Sequence, residues 1–479
     1  MPAVPVRSTL QGVGRWLSGQ TPRAILLVGW VLALIYAFPG IMTMDSLDQL
    51  REARDGVLTD GHPPALAAII HVVDAIISGP FGMLLIQTSA FLVGAYWILR
   101  RALPPRAAAL AACLVLLYPP VLAPMAVIWK DCLMAGMFLL GAGAQFSERR
   151  WAKLAGLACI GVATAVRYNA FAAAMPLIVL LVAWPGITGW RRYALATTAW
   201  LALTFGSFAL NAALTDIPMH FWHSSLAVLD ITGTLARVDG PLPDDELRTL
   251  FAGTGLRVDH DIQAALKQRY ELCREHGMDF EPLISAKEDT RLWDLPIFGT
   301  TPAPEAQRDA IERVFWAVVR AHPAEYAAHR MATMAEVVGL SHHPIGNMVP
   351  TFHTQYRPYM ERLHLASEWS PLQDDLQRRI HRIAKKTPLF RVWVYIVIAL
   401  VLVPFAIRRR QLDSLALLLS GLGLEASLVP LAPTPDYRYS HWLITCTVLA
   451  LILIVARRAQ WPHAPNTPAP APPQPPAPV

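Results

Sequence analysis

Charge is what this chain has least of. Asp, Glu, Lys and Arg make up 16% of its 479 residues, against about 25% in soluble globular domains. Mean hydropathy is +0.37. That is not the profile of a water-soluble globule. Cysteine is scarce as well. Cys113, Cys132, Cys159 and Cys446 sit in apolar stretches, and Cys273 lies alone in a polar one. No CxxC and no Cys/His zinc spacing occurs, and a single outward cysteine has no outward partner to bridge to. Strand-like alternation is rare. No internal repeat is visible, which disfavours transporters built from inverted repeats.

What the chain has instead is apolar stretches of spanning length. A span needs about 20 mostly apolar residues. Stretches of that kind cover roughly 24–42, 80–100, 107–128, 131–147, 151–166, 168–186, 194–213, 391–407, 412–430 and 439–457. This predicts an all-α polytopic membrane protein with about ten transmembrane helices. Residues 64–78 are apolar but short, as an interfacial or re-entrant helix would be. The first stretch follows a weakly basic start without a small-x-small cleavage site, so it reads as an uncleaved anchor.

The gaps between stretches alternate in charge. Arg100, Arg101 and Arg106; Arg149, Arg150 and Lys153; Arg191 and Arg192; Arg408 to Arg410; and Arg457 and Arg458 fill every second gap. Short cytoplasmic loops accumulate Lys and Arg, so these gaps, and both termini with them, are expected in the cytoplasm. Arg7, Arg15 and Arg23 belong to the same orientation charge. The net charge of +6 is thereby spent on membrane lipids and predicts no nucleic-acid partner. The expected organisation is a membrane domain over 1–213 with an external loop at 43–78. A mostly helical external domain follows over 214–390, where Ile311, Val314, Phe315, Val318 and Val319 keep helical period. Closing transmembrane helices occupy 391–460. The Pro- and Ala-rich residues 461–479 read as a disordered cytoplasmic tail.

The remaining gaps face outward and hold the residues with chemistry. The first contains Asp45, an acidic helix with Asp48, Gln49 and Glu52, and then the turn Asp60-Gly61-His62-Pro63-Pro64. The second reads Trp129-Lys130-Asp131 and the third Arg167-Tyr168-Asn169. The last reads Asp436-Tyr437-Arg438-Tyr439-Ser440-His441. Ionisable groups at such depth pair with one another or face a cavity. Each also has a bland explanation: Asp45 and Asp60 as helix caps, and Lys130, Arg167, Arg438 and their aromatic neighbours as interfacial anchors. His71 and Asp74 lie three apart on one helix face, and Glu425 sits within a span. Asp230 reads equally as a core cap. Ser341-His342-His343-Pro344 and His353 lack a carboxylate at ligand spacing and read as surface histidines.

This layout resembles the GT-C superfamily of membrane glycosyltransferases, which includes the protein O-mannosyltransferases and the lipid A aminoarabinose transferases. The resemblance rests on Asp45 after the first span, an interfacial helix over 46–58, His62-Pro63-Pro64, and a second interfacial helix over 64–78. Lys130-Asp131, Arg438-Tyr439 and His322-Pro323-x-x-Tyr326 are similar to short motifs of the same superfamily. One acid stands here where the O-mannosyltransferases have Asp-Glu, and Ser46 follows it.

The resemblance implies a bacterial inner-membrane glycosyltransferase with a periplasmic active site. Its donor would be a sugar on a polyprenyl phosphate, and its acceptor a lipid, glycan or protein. Asp45 would be the general base of an inverting transfer. Asp60, His62, Lys130, Asp131, Arg167, Tyr437, Arg438 and Tyr439 would bind substrate. No DxD-type pair stands at metal spacing, so no tightly required metal is expected, a divalent ion stays open, and no other cofactor is implied. Two other classes stay open: a multi-span transporter or flippase, and a non-catalytic envelope-assembly protein. A ligase using a diphosphate-linked donor would share the transferase class.

Overall fold

The computed structural model describes residues 19–184, 186–275, 281–284, 291–295, 301–341, 348–350 and 356–459. Arg7, Arg15, His342, His343, His353 and the Pro-rich tail lie outside the described residues. Among the described residues every extended regular element is a helix, and β-structure is confined to isolated bridges.

Each of the ten apolar stretches is helical. Four helices are long and apolar enough to cross a membrane: α4 (Phe81–Leu99), α10 (Trp190–Leu214), α17 (Leu412–Leu431) and α18, the helix His441–Ala459 extended by the turn before it. The pair α5 (Pro105–Leu116) and α6 (Pro119–Met125) makes a fifth if its 68° bend is read within one span. The bend follows from sequence. Tyr118 precedes Pro119-Pro120, and the residue before a proline is driven out of helical geometry. The other stretches form shorter helices: α1 (Pro22–Ala37), α7 (Lys130–Ala144), α8 (Arg150–Ala165), α9 (Ala170–Leu181) and α16 (Val392–Arg408).

Local chemistry sets the ends that matter. α1 starts at Thr21, whose hydroxyl accepts from Ala24 N–H. α2 (Met44–Asp55) starts in a capping box between Thr43 and Ser46 and stops at Gly56, which adopts φ +68°. α3 (Pro64–Ile76) begins on Pro63-Pro64. α4 packs most closely on α7 because Gly94 meets the Leu139 backbone there. A single parallel bridge joins Ile41 to Val127. Gln87 of α4 donates to the Met125 and Val127 carbonyls at 2.9 and 2.8 Å. Ser46 Oγ donates to Ile128 O at 2.7 Å. These bonds lock the loop before α2 against the loop before α7, and so fix where Asp45 and Lys130 stand.

The helices run so that the arginine gaps gather at one end of the bundle. Arg106 bonds Gln20 O there, Lys153 bonds Ala183 O, and Arg457 grips Asp413. Described residues between Phe221 and Tyr326 build a second core around α11 (Val228–Leu235), α12 (Ile262–Glu275), α13 (Glu305–Ala321) and Trp293. Residues from Val338 to Phe390 instead pack on the main core, including Ile380 and Ala384 of α15 (Pro371–Lys386). Gln373 of α15 donates to the Tyr36 and Phe38 carbonyls at the end of α1. The helical 214–390 region is therefore split between two cores.

Candidate functional site

The end opposite the arginine gaps brings four distant segments together. Asp45 occupies the first turn of α2. Its Oδ2 lies 2.6 Å from Arg438 Nη2, and its Oδ1 lies 3.7 Å from His62 Nε2. Lys130, the first residue of α7, places Nζ 3.0 Å from His62 Nδ1. The Asp45 side chain keeps 27% exposure, against 16% for His62 and 10% for Arg438. The carboxylate is thus the open member of the group.

The hydrogen-bond chemistry assigns the histidine's state. Burial pushes the Lys130 pKa down to about 7; in its charged form Lys130 only donates, and His62 Nδ1 accepts from it. The proton then sits on Nε2 and points towards Asp45, at a distance too long for a hydrogen bond. Burial pushes the His62 pKa down, Lys130 adds to this, and the result is about 3. His62 is therefore neutral at physiological pH, and its contact with Asp45 is not an ion pair. Burial alone would raise the Asp45 pKa. Arg438 and Lys130 outweigh it and hold the carboxyl well below the usual carboxylate range. Further along α2, burial raises Asp48 and Glu52 instead. Tyr359 Oη donates to Asp48, which also has Arg51 Nη2 at 3.6 Å, and Thr59 Oγ1 donates to Glu52.

Arg438 is held from several sides. Its Nε lies 3.1 Å from Asp436 Oδ2, and its backbone N–H donates to Asp436 Oδ1. Its guanidinium lies 5.0 Å from the Trp129 ring centroid and 5.4 Å from that of Tyr439. Trp129 in turn donates from Nε1 to Thr43 Oγ1 at 2.8 Å. Tyr439 has a second cation on it, Arg167, at 5.1 Å.

Asp131 and Arg167 form an ion pair beneath this layer, with side chains only 1% and 6% exposed. Arg167 also donates to Asn169, and Asn169 donates to Ser427 of α17. Glu425, on the same helix, accepts from Ser440 at 2.9 Å. This lower layer ties the start of α7 to the segment before α9 and to α17, and it leaves Glu425 Oε2 buried without a hydrogen bond.

Two residues singled out in the sequence stand elsewhere. Asp60 accepts from the Met219 and His220 backbone N–H groups and so ties the first loop to the segment after α10. Tyr437 is fully buried, 5.4 Å from the Phe390 ring, and its hydroxyl reaches Pro120 O. It is a packing residue. His71 and Asp74 do not bond one another: His71 contacts Ala53 O at 2.6 Å, and Asp74 takes Arg54 bidentately at 2.9 Å.

The sequence reading quoted Asp436 without giving it a role and read Asp230 equally as a core cap, and it did not see the buried cluster around Asp230. In that cluster Asp230 Oδ1 lies 3.0 Å from both His329 Nε2 and Arg330 Nη1. Tyr270 Oη lies 2.9 Å from His329 Nδ1. Arg330, on α14 (Pro323–Val337), donates to the Val429 and Ala432 carbonyls. It thereby fastens α14, and Asp230 with it, to the end of α17, just before the loop that carries Arg438. The available signal was His329-Arg330 on the buried face of an amphipathic helix, which periodicity alone assigns to a core.

Among the described residues no group of three or more His, Cys, Asp and Glu side chains is gathered to hold a metal ion. No family model, curated protein or solved structure matches the chain.

Proposed function

We propose that the chain is a GT-C-type membrane glycosyltransferase that takes a sugar from a polyprenyl-phosphate donor. The observation behind this reading is the Asp45 carboxylate, partly exposed, with Arg438 at 2.6 Å and the Lys130–His62 pair beside it. The supporting residues come from the four loops that the charge alternation assigns to one side. In this reading the bundle has about ten spans, several of them short and tilted or broken. The arginine-rich end is cytoplasmic, and the Asp45 end faces the periplasm across a bacterial inner membrane.

The reaction needs an anion site next to a base. The acceptor O–H or N–H attacks the anomeric carbon as the carbon–oxygen bond to phosphate breaks. The electron pair leaves on the lipid phosphate, and the acceptor's proton passes to Asp45. General-base catalysis of this kind contributes roughly 10²–10⁴-fold. Held by Arg438, Asp45 is a weak base. A donor phosphate competes for the same guanidinium, because planar guanidinium matches phosphate bidentately. Phosphate binding then draws Arg438 off Asp45 and raises its basicity. Substrate thus activates the base. Lys130 supplies the second charge to the phosphate, while Asp131 and Arg167 position the helix that carries it.

The test is release of polyprenyl phosphate from a panel of short-chain donors in proteoliposomes holding the chain, with and without candidate acceptors. The enzyme cleaves one donor, and cleavage rises with acceptor. A flippase moves labelled donor across the bilayer uncleaved, and that result would replace this reading.

A further inference from the structure

The arginine-rich end of the bundle carries a concavity of its own. A cavity of about 500 Å³ opens there, lined by Arg101, Arg192, Arg409, Arg410, Arg457 and one acid, Asp413. Asp413 is already matched, since Arg457 donates to both its oxygens. Five arginines less one aspartate leave a formal excess of four positive charges around one hollow. Like charges gathered in a concavity focus an electrostatic field that recruits an anion.

Two of these cations are held in place. Arg192 donates to the Leu180 and Val182 carbonyls at 2.7 and 3.0 Å. The Arg101 guanidinium lies 5.0 Å from the Phe146 ring centroid. The walls between the arginines are apolar, built from Phe146, Leu181 and Leu412. Guanidinium groups fit phosphate oxygens, and apolar walls between helices fit acyl chains. Basic pockets between transmembrane helices on the cytoplasmic side bind the headgroups of anionic lipids. The site is separate from Asp45. α18 starts beside Arg438 and reaches the cavity at Arg457, about 25 Å further along at 1.5 Å per residue.

We propose that this cavity binds the phosphate group of an anionic membrane lipid. The proposal stands whether or not the chain is a glycosyltransferase. The test uses the full chain in nonionic detergent and measures equilibrium binding of labelled phosphatidylglycerol and phosphatidylcholine. Phosphatidylglycerol should saturate one site at least tenfold more tightly than phosphatidylcholine. Arg101→Gln with Arg409→Gln should weaken it tenfold or more. Arg409→Glu alone provides a second variant if the double substitution is not monodisperse on gel filtration. Asp45→Asn should leave lipid binding unchanged. Competition with inorganic phosphate separates the sources: displacement assigns the site to a soluble phosphate compound, and retention assigns it to the lipid. Equal binding of both lipids, or phosphatidylglycerol binding unchanged in the arginine variants, would overturn the proposal.

Discussion

Replacing Arg438 by Gln removes the guanidinium that contacts both Asp45 and Asp436. Asp436 is 7% exposed, and Asp45 keeps 27%. Breaking a buried ion pair from one side typically costs 3–5 kcal/mol, because the partner charge is left buried alone. Asp45 is partly solvated, so the lower end applies: about 3 kcal/mol for Arg438→Gln. Asp45→Asn removes one of the two acids and keeps a polar group of the same shape, so it should cost about 1 kcal/mol. The double variant relieves the carboxylate that the single arginine variant strands. Its cost should fall below the sum of the single costs by about 1–2 kcal/mol, as residues in one network show. Denaturant unfolding in mixed micelles, followed by tryptophan fluorescence, reads all four corners of the cycle. Trp129 lies against Arg438 and is a local reporter. Strict additivity would refute the pairing of Asp45 with Arg438.

Four further substitutions have expected outcomes. His62 is lowered in the folded chain to about 3 from about 6.5 when unfolded. Its contribution is therefore complete above pH 6.5 and drains away as pH falls towards 3, at about 1.4 kcal/mol per pH unit. His62→Gln should reduce the loss of stability between pH 7 and pH 5 by about 2 kcal/mol, and an unchanged pH profile would count against a buried neutral imidazole. A Cβ on Gly94 would sit 2.3 Å from the Leu139 carbonyl carbon and the Leu140 nitrogen. Gly94→Ala should lower the melting temperature through a cost of about 1–3 kcal/mol. Gly206→Ala, where nothing lies within 4 Å, should stabilise its helix by up to about 1 kcal/mol. Asp230→Ala strands the buried Arg330 and should cost about 3–5 kcal/mol, which limited proteolysis of the 215–337 region would report as faster cleavage.

Much of the fold was legible because apolar length and arginine spacing are local signals. All ten stretches are helices, and the arginine gaps gather at one end. Helix length was less legible. Pro119-Pro120 breaks one stretch, and loop contacts such as Ile41–Val127 end others early. The site was readable as far as loop sidedness goes, and Asp45, His62, Lys130 and Arg438 do converge. Which of the candidates face inward was not readable. Asp131 and Arg167 pair with each other in the interior, Tyr437 fills the core, and Asp60 binds backbone in the segment after α10. Those partners are 36, 317 and 159 residues away, and nothing local in the sequence encodes them. The same holds for Asp230 and Arg330, which meet across 100 positions.

In the proposed reaction Asp45 takes the acceptor's proton. The measurement is sugar transfer from a polyprenyl-phosphate donor in proteoliposomes, with wild type and Asp45→Asn reconstituted at equal density and shown by unfolding to be folded. The account predicts that wild type turns over and that the variant, with donor binding intact, loses at least about two orders of magnitude in rate. Equal turnover by the two would contradict it and return Asp45 to the role of a helix-start acid paired with Arg438.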